Sequence, residues 1–433
     1  MTTADYLTSL QNDLATIKTN LSEGGMEIDA SDNFSNIATK TTGITIGGGG
    51  SDVSFTGHYD ATGLAAIGWT NEEIQYYQEN GVQWDEEDDE YFELNATELA
   101  GDNTQASRFL PKNTYLTSFY NYFNLLALPI INIGNTDSTS SMFNNCYSLT
   151  TIPLINTSNV INMAYMFQNC YSLRTIPLLD TSKVENFGYT FYGCLSLKEI
   201  PLLDTSKVTN ASSMFYNCYS LKKIPLIDTS SITTANNMFQ NCYSLEKIPQ
   251  LDLSNCLSVY NMFSNCYSLK YVSELDTSKT TNFGYMFYNC YALKTVPKLD
   301  TKEATDFSSM FYNGLVVKYA SFEGYNTKKV TSMSSMFNTC KYIRELDLSS
   351  FETDSLTDTT YMFASCTSMQ KLDIRQFVLS NITTTAYMFG RQANQGIPNA
   401  CLVIVKDATE KAWVNTNFSR LTNVQTVAEY EAS

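Results

Sequence analysis

The sequence predicts an α/β repeat solenoid, a right-handed coil of about 12 turns, and three observations carry that prediction. One phenylalanine recurs every 24 residues at Phe143, Phe167, Phe191, Phe215, Phe239, Phe263, Phe287 and Phe311, then every 26 at Phe337, Phe363 and Phe389; Phe119 marks a degenerate first copy. A cysteine keeps one offset behind that phenylalanine at Cys146, Cys170, Cys194, Cys218, Cys242, Cys266, Cys290, Cys340 and Cys366, so only Cys256 and Cys401 of the 11 fall outside the column. Each copy also holds a short apolar stretch, such as Leu221, Ile224 and Leu226, at the spacing of a strand that points alternate side chains inward. A period of this length marks supersecondary units that stack because none can bury its own apolar face.

Within one copy, "MFYNCYSLKKIPLIDTS" from Met214, the segment "SSMFYNC" reads as a short helix with Met214, Phe215 and Cys218 inward. The stretch "SLKKIPLID" reads as the strand, and "DTS" as a turn in which Asp and Ser or Thr side chains bond nearby amides. Prolines at 153, 177, 201, 225, 249 and 297 lack a backbone donor, so they belong at a strand end or bulge. The later copies show the strand more plainly, with Ile343, Leu346, Leu348 and Phe351 as its inward set. The cysteine column is read as small buried residues: zinc needs close pairs such as CxxC, and none occur.

These copies resemble the BspA-like leucine-rich repeats of bacterial surface proteins; the 26-residue copies, such as the one that holds the stretch Leu346 to Met369, match that pattern well, and the 24-residue copies are a shortened variant. The resemblance covers about residues 105 to 400 and implies a non-enzymatic, adhesive protein. The repeat domain is placed at 105–396. The tail, 397–433, abandons the repeat for a strand over Leu402 to Val405, a helix after Asp407 and a last strand near Val424, and reads as the cap that covers the terminal rung.

Ahead of the solenoid, residues 1–46 form a helical anchor, 47–51 a glycine linker and 52–104 a small adaptor with a capping box at Thr70 and Glu73. Leu7, Leu10, Leu14, Ile17 and Leu21 follow coiled-coil a/d spacing and are the candidate oligomerisation residues, although the same stripe suits a helix packed on its own domain. Gly25, Asp32, Asn33, Phe34, Ser35 and Ile37 give this opening a resemblance to the N-termini of structural proteins of tailed phages. That resemblance implies attachment to other virion proteins, and analogy with fibres implies a trimer. The start lacks the basic and apolar regions of a secretion signal, and no sorting or lipid-anchor signal is read at "VQTVAEYEAS".

A formal charge of −17 argues against nucleic acid. Catalysis needs a constellation that departs from the repeat, and none is found; His58 has no partner motif. The acidic run Asp85 to Leu94 lacks the alternating ligands and glycine of a calcium loop and reads as a solvated turn. No cofactor and no metal are expected. Binding is assigned to Tyr165, Tyr189, Tyr192, Tyr216, Tyr285, Tyr288, Tyr312, Tyr361 and Tyr387, which flank the Met-Phe pair, and to a basic column, Arg174, Lys198, Lys222, Lys270 and Lys294. Lysines on a repeated edge also serve solubility alone. A more regular column, Tyr147, Tyr171, Tyr219, Tyr243, Tyr267 and Tyr291, is read as packing. The expected function is a non-enzymatic virion structural or adhesion protein, a tail or head fibre or a decoration, that binds host-surface carbohydrate or protein through the solenoid. The alternatives are a bacterial cell-surface adhesin of the same repeat family, or a spacer that binds nothing.

Overall fold

The computed structural model describes residues 136–433, apart from 153–154, 316 and 392–394, together with 119–121 and Ile133. All of them belong to one unit, Leu64–Ser433. The anchor with Leu7, Leu10, Leu14, Ile17 and Leu21, the glycine linker, the adaptor, His58 and the acidic run lie outside the described residues.

The rungs are stitched by a ladder that alternates in direction. The N–H groups of Ala211, Ser213, Phe215 and Asn217 donate to the carbonyls of Thr234, Asn236, Met238 and Gln240 on the next rung, at 3.0, 2.8, 2.9 and 2.9 Å. Between them, Met214, Tyr216 and Cys218 donate back three residues, to Ala211, Ser213 and Phe215. Ser213 and Asn217 take left-handed conformations, with φ of 54° and 61°, and Tyr165, Asn169, Tyr285 and Asn289 do the same in their rungs. The expected helix over "SSMFYNC" is therefore absent. A helix would commit every amide to a partner four residues back, whereas here half of them are needed by the neighbouring rung. The apolar spacing of Met214, Phe215 and Cys218 suits these turns as well as a helix. Parallel bridges repeat along this side from Ser138 through Asn162, Asn186, Asn210, Thr234, Ser258, Asn282, Asp306, Ser332 and Asp358 to Thr384.

The leucine side differs between the two repeat lengths. In the 24-residue copies Leu221 and Ile224 point inward, but Leu226 is 42% exposed and Ile227 takes the buried place. This overturns the alternating reading of Leu221, Ile224 and Leu226. Pro225 cannot donate to a ladder, and the residues Ile224 and Ile227, three apart, fit an irregular arc rather than a strand. In the 26-residue copies Ile343, Leu346, Leu348 and Phe351 are all buried. There the backbone forms true strands: β1 Tyr319–Ser321, β2 Glu345–Asp347 and β3 Lys371–Asp373. The cap adds β4 Leu402–Val405 and β5 Asn423–Thr426, and the sheet runs β1-β2-β3-β4-β5, all parallel, with Leu346, Leu372, Val403 and Val424 in register.

The phenylalanine and cysteine columns of the core repeat from rung to rung. The phenylalanines stack from Phe119 and Phe143, 5.2 Å between centroids, to Phe363 and Phe389 at 5.7 Å. Cys218 Sγ donates to the Phe191 carbonyl at 3.1 Å, and the same bond recurs at Cys170, Cys242, Cys266, Cys290, Cys340 and Cys366. All eleven thiols are free and buried, and burial pushes the column thiols from Cys170 to Cys366, Cys218 among them, above the ordinary range. The turn at "DTS" forms as its chemistry requires: Asp228 Oδ1 accepts from the Ser230 amide and hydroxyl at 3.0 and 2.7 Å, while Thr205 Oγ1 donates to the Asp228 carbonyl. At the far end, helix α1 Ala408–Asn417 is capped by Asp407 and helix α2 Val427–Glu431 by a Thr426–Glu429 box. Phe418 meets Phe389 edge-on at 4.8 Å and ends the phenylalanine stack.

Candidate functional site

The nine expected tyrosines fall into three clusters. Tyr165 stacks on Tyr189 at 4.8 Å, Tyr189 leans on Tyr192, and Tyr192 stacks on Tyr216 at 4.7 Å. Tyr285, Tyr288 and Tyr312 repeat that arrangement, with Tyr288 on Tyr312 at 4.7 Å and Tyr260 meeting Tyr285 edge-on. Tyr361 and Tyr387 form a third pair, and Arg391 lies over the Tyr387 ring and donates to its hydroxyl. The left-handed turn aims these rings: Tyr165, Tyr189, Tyr285, Tyr361 and Tyr387 all have φ near 60°. Tyr165 and Tyr361 are exposed and the other seven are half-buried.

The column read as packing is just as open. Tyr171, Tyr267 and Tyr291 are 37%, 36% and 43% exposed. Its rings stack as Tyr147–Tyr171, then as an unbroken run of Tyr219, Tyr243, Tyr267 and Tyr291 at 4.4 to 5.0 Å. Leu195 interrupts it. The two columns adjoin closely enough that, after burial, Tyr171 and Tyr219 help raise the pKa of Tyr192, and Tyr291 and Tyr267 that of Tyr288. The reading as packing is thus corrected: these positions belong to the same tyrosine-rich face. Sequence reasoning missed this because regular recurrence suits a surface stack as well as a core.

This packing changes what the tyrosines can do. A ring separated by 4.7 Å from its neighbour has that face covered, so interior members cannot receive a flat ligand on both sides. They present edges and hydroxyls. Burial, and then the neighbouring phenols, hold Tyr192 and Tyr288 above the ordinary tyrosine range; burial and Tyr219 push Tyr243 to about 12. Tyr192, Tyr243 and Tyr288 therefore remain protonated hydrogen-bond donors at neutral pH.

Beneath them runs an asparagine ladder that sequence reasoning did not single out. Asn241 donates to Asn217 at 2.7 Å, Asn265 to Asn241 at 2.7 Å and Asn289 to Asn265 at 2.9 Å. Its signal is the left-handed backbone, which asparagine tolerates best among residues with a side chain.

The basic column is present, linked by backbone bonds from Lys198 to Arg174 and from Lys222 to Lys198. It is not uniformly free. Lys270 pairs with Glu246 at 3.0 Å, and Lys294 lies 5.9 Å from the centre of the Tyr271 ring. Arg174, Lys198 and Lys222 have no ion-pair partner among the described residues. Beside them, Leu178, Leu202 and Leu226 are 44%, 39% and 42% exposed, an outward apolar row that the sequence reading had turned inward. Among the described residues no group of three or more His, Cys, Asp or Glu stands ready to hold a metal ion, and no helix is long and apolar enough to cross a membrane.

Two solved structures match this chain at low identity. A leucine rich cell surface protein from Faecalibacterium prausnitzii A2-165 is 17% identical, with 71% of this chain and 89% of that chain covered and a TM-score of 0.34. A TLR13–ssRNA13 complex is 14% identical over 70% of this chain and 52% of that chain, with a TM-score of 0.19. No curated protein matches. The model of the family described as "Mycoplasma protein of unknown function, DUF285" matches three successive stretches, residues 137–247, 220–320 and 315–420, which together span most of the repeat region. The chain is a repeat solenoid, its described rungs joined by parallel bridges, and it belongs to that family.

Proposed function

We propose that this chain is a non-enzymatic attachment protein of a virion surface, a fibre or decoration held by residues 1–46, whose solenoid contacts host-surface carbohydrate or protein. The observation that carries the contact is the tyrosine face, two adjoining rows of stacked rings that offer hydroxyls at a step of 4.4 to 5.0 Å in the run from Tyr219 to Tyr291. A constant step along a rigid axis suits a repetitive ligand, because weak contacts in one register add along the length. Tyr165, Tyr189, Tyr192, Tyr216, Tyr285, Tyr288, Tyr312, Tyr361 and Tyr387 supply one row and the ends of the stacks; Lys270 and Lys294 add charge nearby. The virion placement and a trimer rest on the phage-like opening around Gly25 and Asp32 to Ile37 and on the a/d stripe Leu7, Leu10, Leu14, Ile17 and Leu21. The bacterial cell-surface adhesin is the second reading, favoured by the BspA-like pattern of Leu346 to Met369.

The test of contact is binding of the full-length chain to host cells and to purified wall glycan. Replacing Tyr216, Tyr288 and Tyr312 together by phenylalanine removes hydroxyls and keeps the rings. If hydroxyl edges make the contact, this variant loses binding nearly as fully as the alanine variant does. Binding retained by phenylalanine and lost by alanine would assign the contact to ring faces, and binding untouched by both would exclude this face. Mass spectrometry of purified virions tests the placement, and light scattering of the full chain tests the trimer.

A further inference from the structure

We infer that three consecutive short rungs, those of Arg174, Lys198 and Lys222, carry a separate docking site for an amphipathic helix of a partner protein, one with an apolar stripe flanked by carboxylates. A repeat presents the same surface many times; a site is marked where the surface departs from the repeat. On three consecutive rungs the outward positions read Arg174, Lys198, Lys222 and Leu178, Leu202, Leu226. On the following rungs the same two columns become Glu246, Lys270, Lys294 and Gln250, Glu274, Lys298. The apolar row ends at the fourth rung, where Glu246 also interrupts the cations before Lys270 and Lys294 resume them. Between the two rows sit Pro177, Pro201 and Pro225, half-buried, so the patch is leucine and proline with a cationic rim.

Spacing selects the occupant. The rungs here are in direct register, with Lys198 N–H on the Arg174 carbonyl and Lys222 N–H on the Lys198 carbonyl, and Tyr192 and Tyr216 of these rungs stack at 4.7 Å. A helix laid along the solenoid brings residues i, i+3 and i+7 to one face at rises of about 4.5 and 10.5 Å, within about 1 Å of two rung steps of ~4.8 Å. An extended strand presents like-facing residues every ~6.7 Å and falls out of register by the second rung. A glycan needs hydrogen-bond partners, and the prolines withdraw their backbone donors. The cations require acidic residues along one flank of the helix; Arg174, Lys198 and Lys222 hold no ion pair among the described residues, and only Lys222 already acts on a carboxylate, that of Glu246.

The test uses the full-length chain and a labelled 18-residue helical peptide with leucines at i, i+3 and i+7 and glutamates on the adjoining flank. A peptide with lysines in place of the glutamates is the control. The site predicts at least about tenfold tighter binding of the glutamate peptide, weakening as salt rises. Leu202→Asp and Lys198→Glu should each weaken it about tenfold or more. Both residues are exposed, so both variants should keep the near-ultraviolet circular dichroism of the parent. Tyr216→Phe, on the other face, should leave peptide binding unchanged. Equal binding of the two peptides, or indifference to Leu202→Asp, overturns the site. So does self-association of the parent chain that Leu202→Asp abolishes, since the row would then be covered by a second copy.

Discussion

The short and long rungs keep the same inner wall and differ only on the leucine side. Both carry the phenylalanine stack and the cysteine-to-carbonyl bond, at Cys218 as at Cys366. Between Leu221 and Thr229 the short rung has two residues fewer than the long rung has between Ile343 and Thr353. Two residues are one period of a strand. Their loss removes one inward position, so Leu346, Leu348 and Phe351 are answered by Ile224 and Ile227 alone, and the strand with them. A solenoid can thus lose its regular sheet and stay ordered, because the ladder on the opposite side, from Ser138 to Thr384, holds the rungs together without interruption.

The junction between the two regions shows what such a change demands. Gly314 stands where nine other rungs have cysteine, and a Cβ there would crowd the Phe287 carbonyl. Tyr325 occupies the place of Phe351 and Phe377, is buried, and donates its hydroxyl to the carbonyl of Pro297 on the last short rung at 2.8 Å. It joins a long rung's packing to a short rung's unpaired acceptor.

Four experiments break or sharpen the comparison. If the inner wall is common to both regions, Phe215→Ala and Phe337→Ala should each cost about 3–5 kcal/mol, read as similar falls in the denaturant midpoint; a much smaller loss in one region would show that its leucine side carries the core. Gly314→Cys restores the repeat consensus and should nevertheless destabilise by about 2–3 kcal/mol through the forced contact; a rise in Tm would show that the junction can relax. Tyr325→Phe keeps the ring and strands the Pro297 carbonyl, for a loss of about 1–2 kcal/mol, while Tyr319→Phe, on an exposed strand residue, should change nothing measurable. The smallest effect lies at the capped end of the long region. Glu410 is buried and accepts from the Leu379 amide at 3.1 Å; burial raises its pKa, helped by Asp407 and opposed by the amide and Lys406. A raised value in the folded chain favours the protonated form, so this contribution is full below the ordinary glutamate range and is lost as pH rises through the raised value. Thermal melts from pH 4 to 8 should show that decline, and Glu410→Gln should flatten it.

The amino-acid sequence by itself determined the stacking. When apolar residues recur at 24 and then 26 residues, each must meet its own copy, and so Phe215 finds Phe239 and Asp228 finds Ser230 whatever the path between them. The tail's strand and capped helix were legible too, since Asp407 bonds amides only two and three residues away. Direction within a rung was not legible. Whether Leu226 or Ile227 turns inward, whether Ser213 and Asn217 adopt left-handed turns in place of a helix, and whether Tyr243 faces the core or its neighbours all depend on hydrogen bonds and ring contacts to residues about 24 positions away. The tertiary structure decided those, because the amides of one rung are satisfied by the carbonyls of the next, and that demand outranks the local periodicity of either.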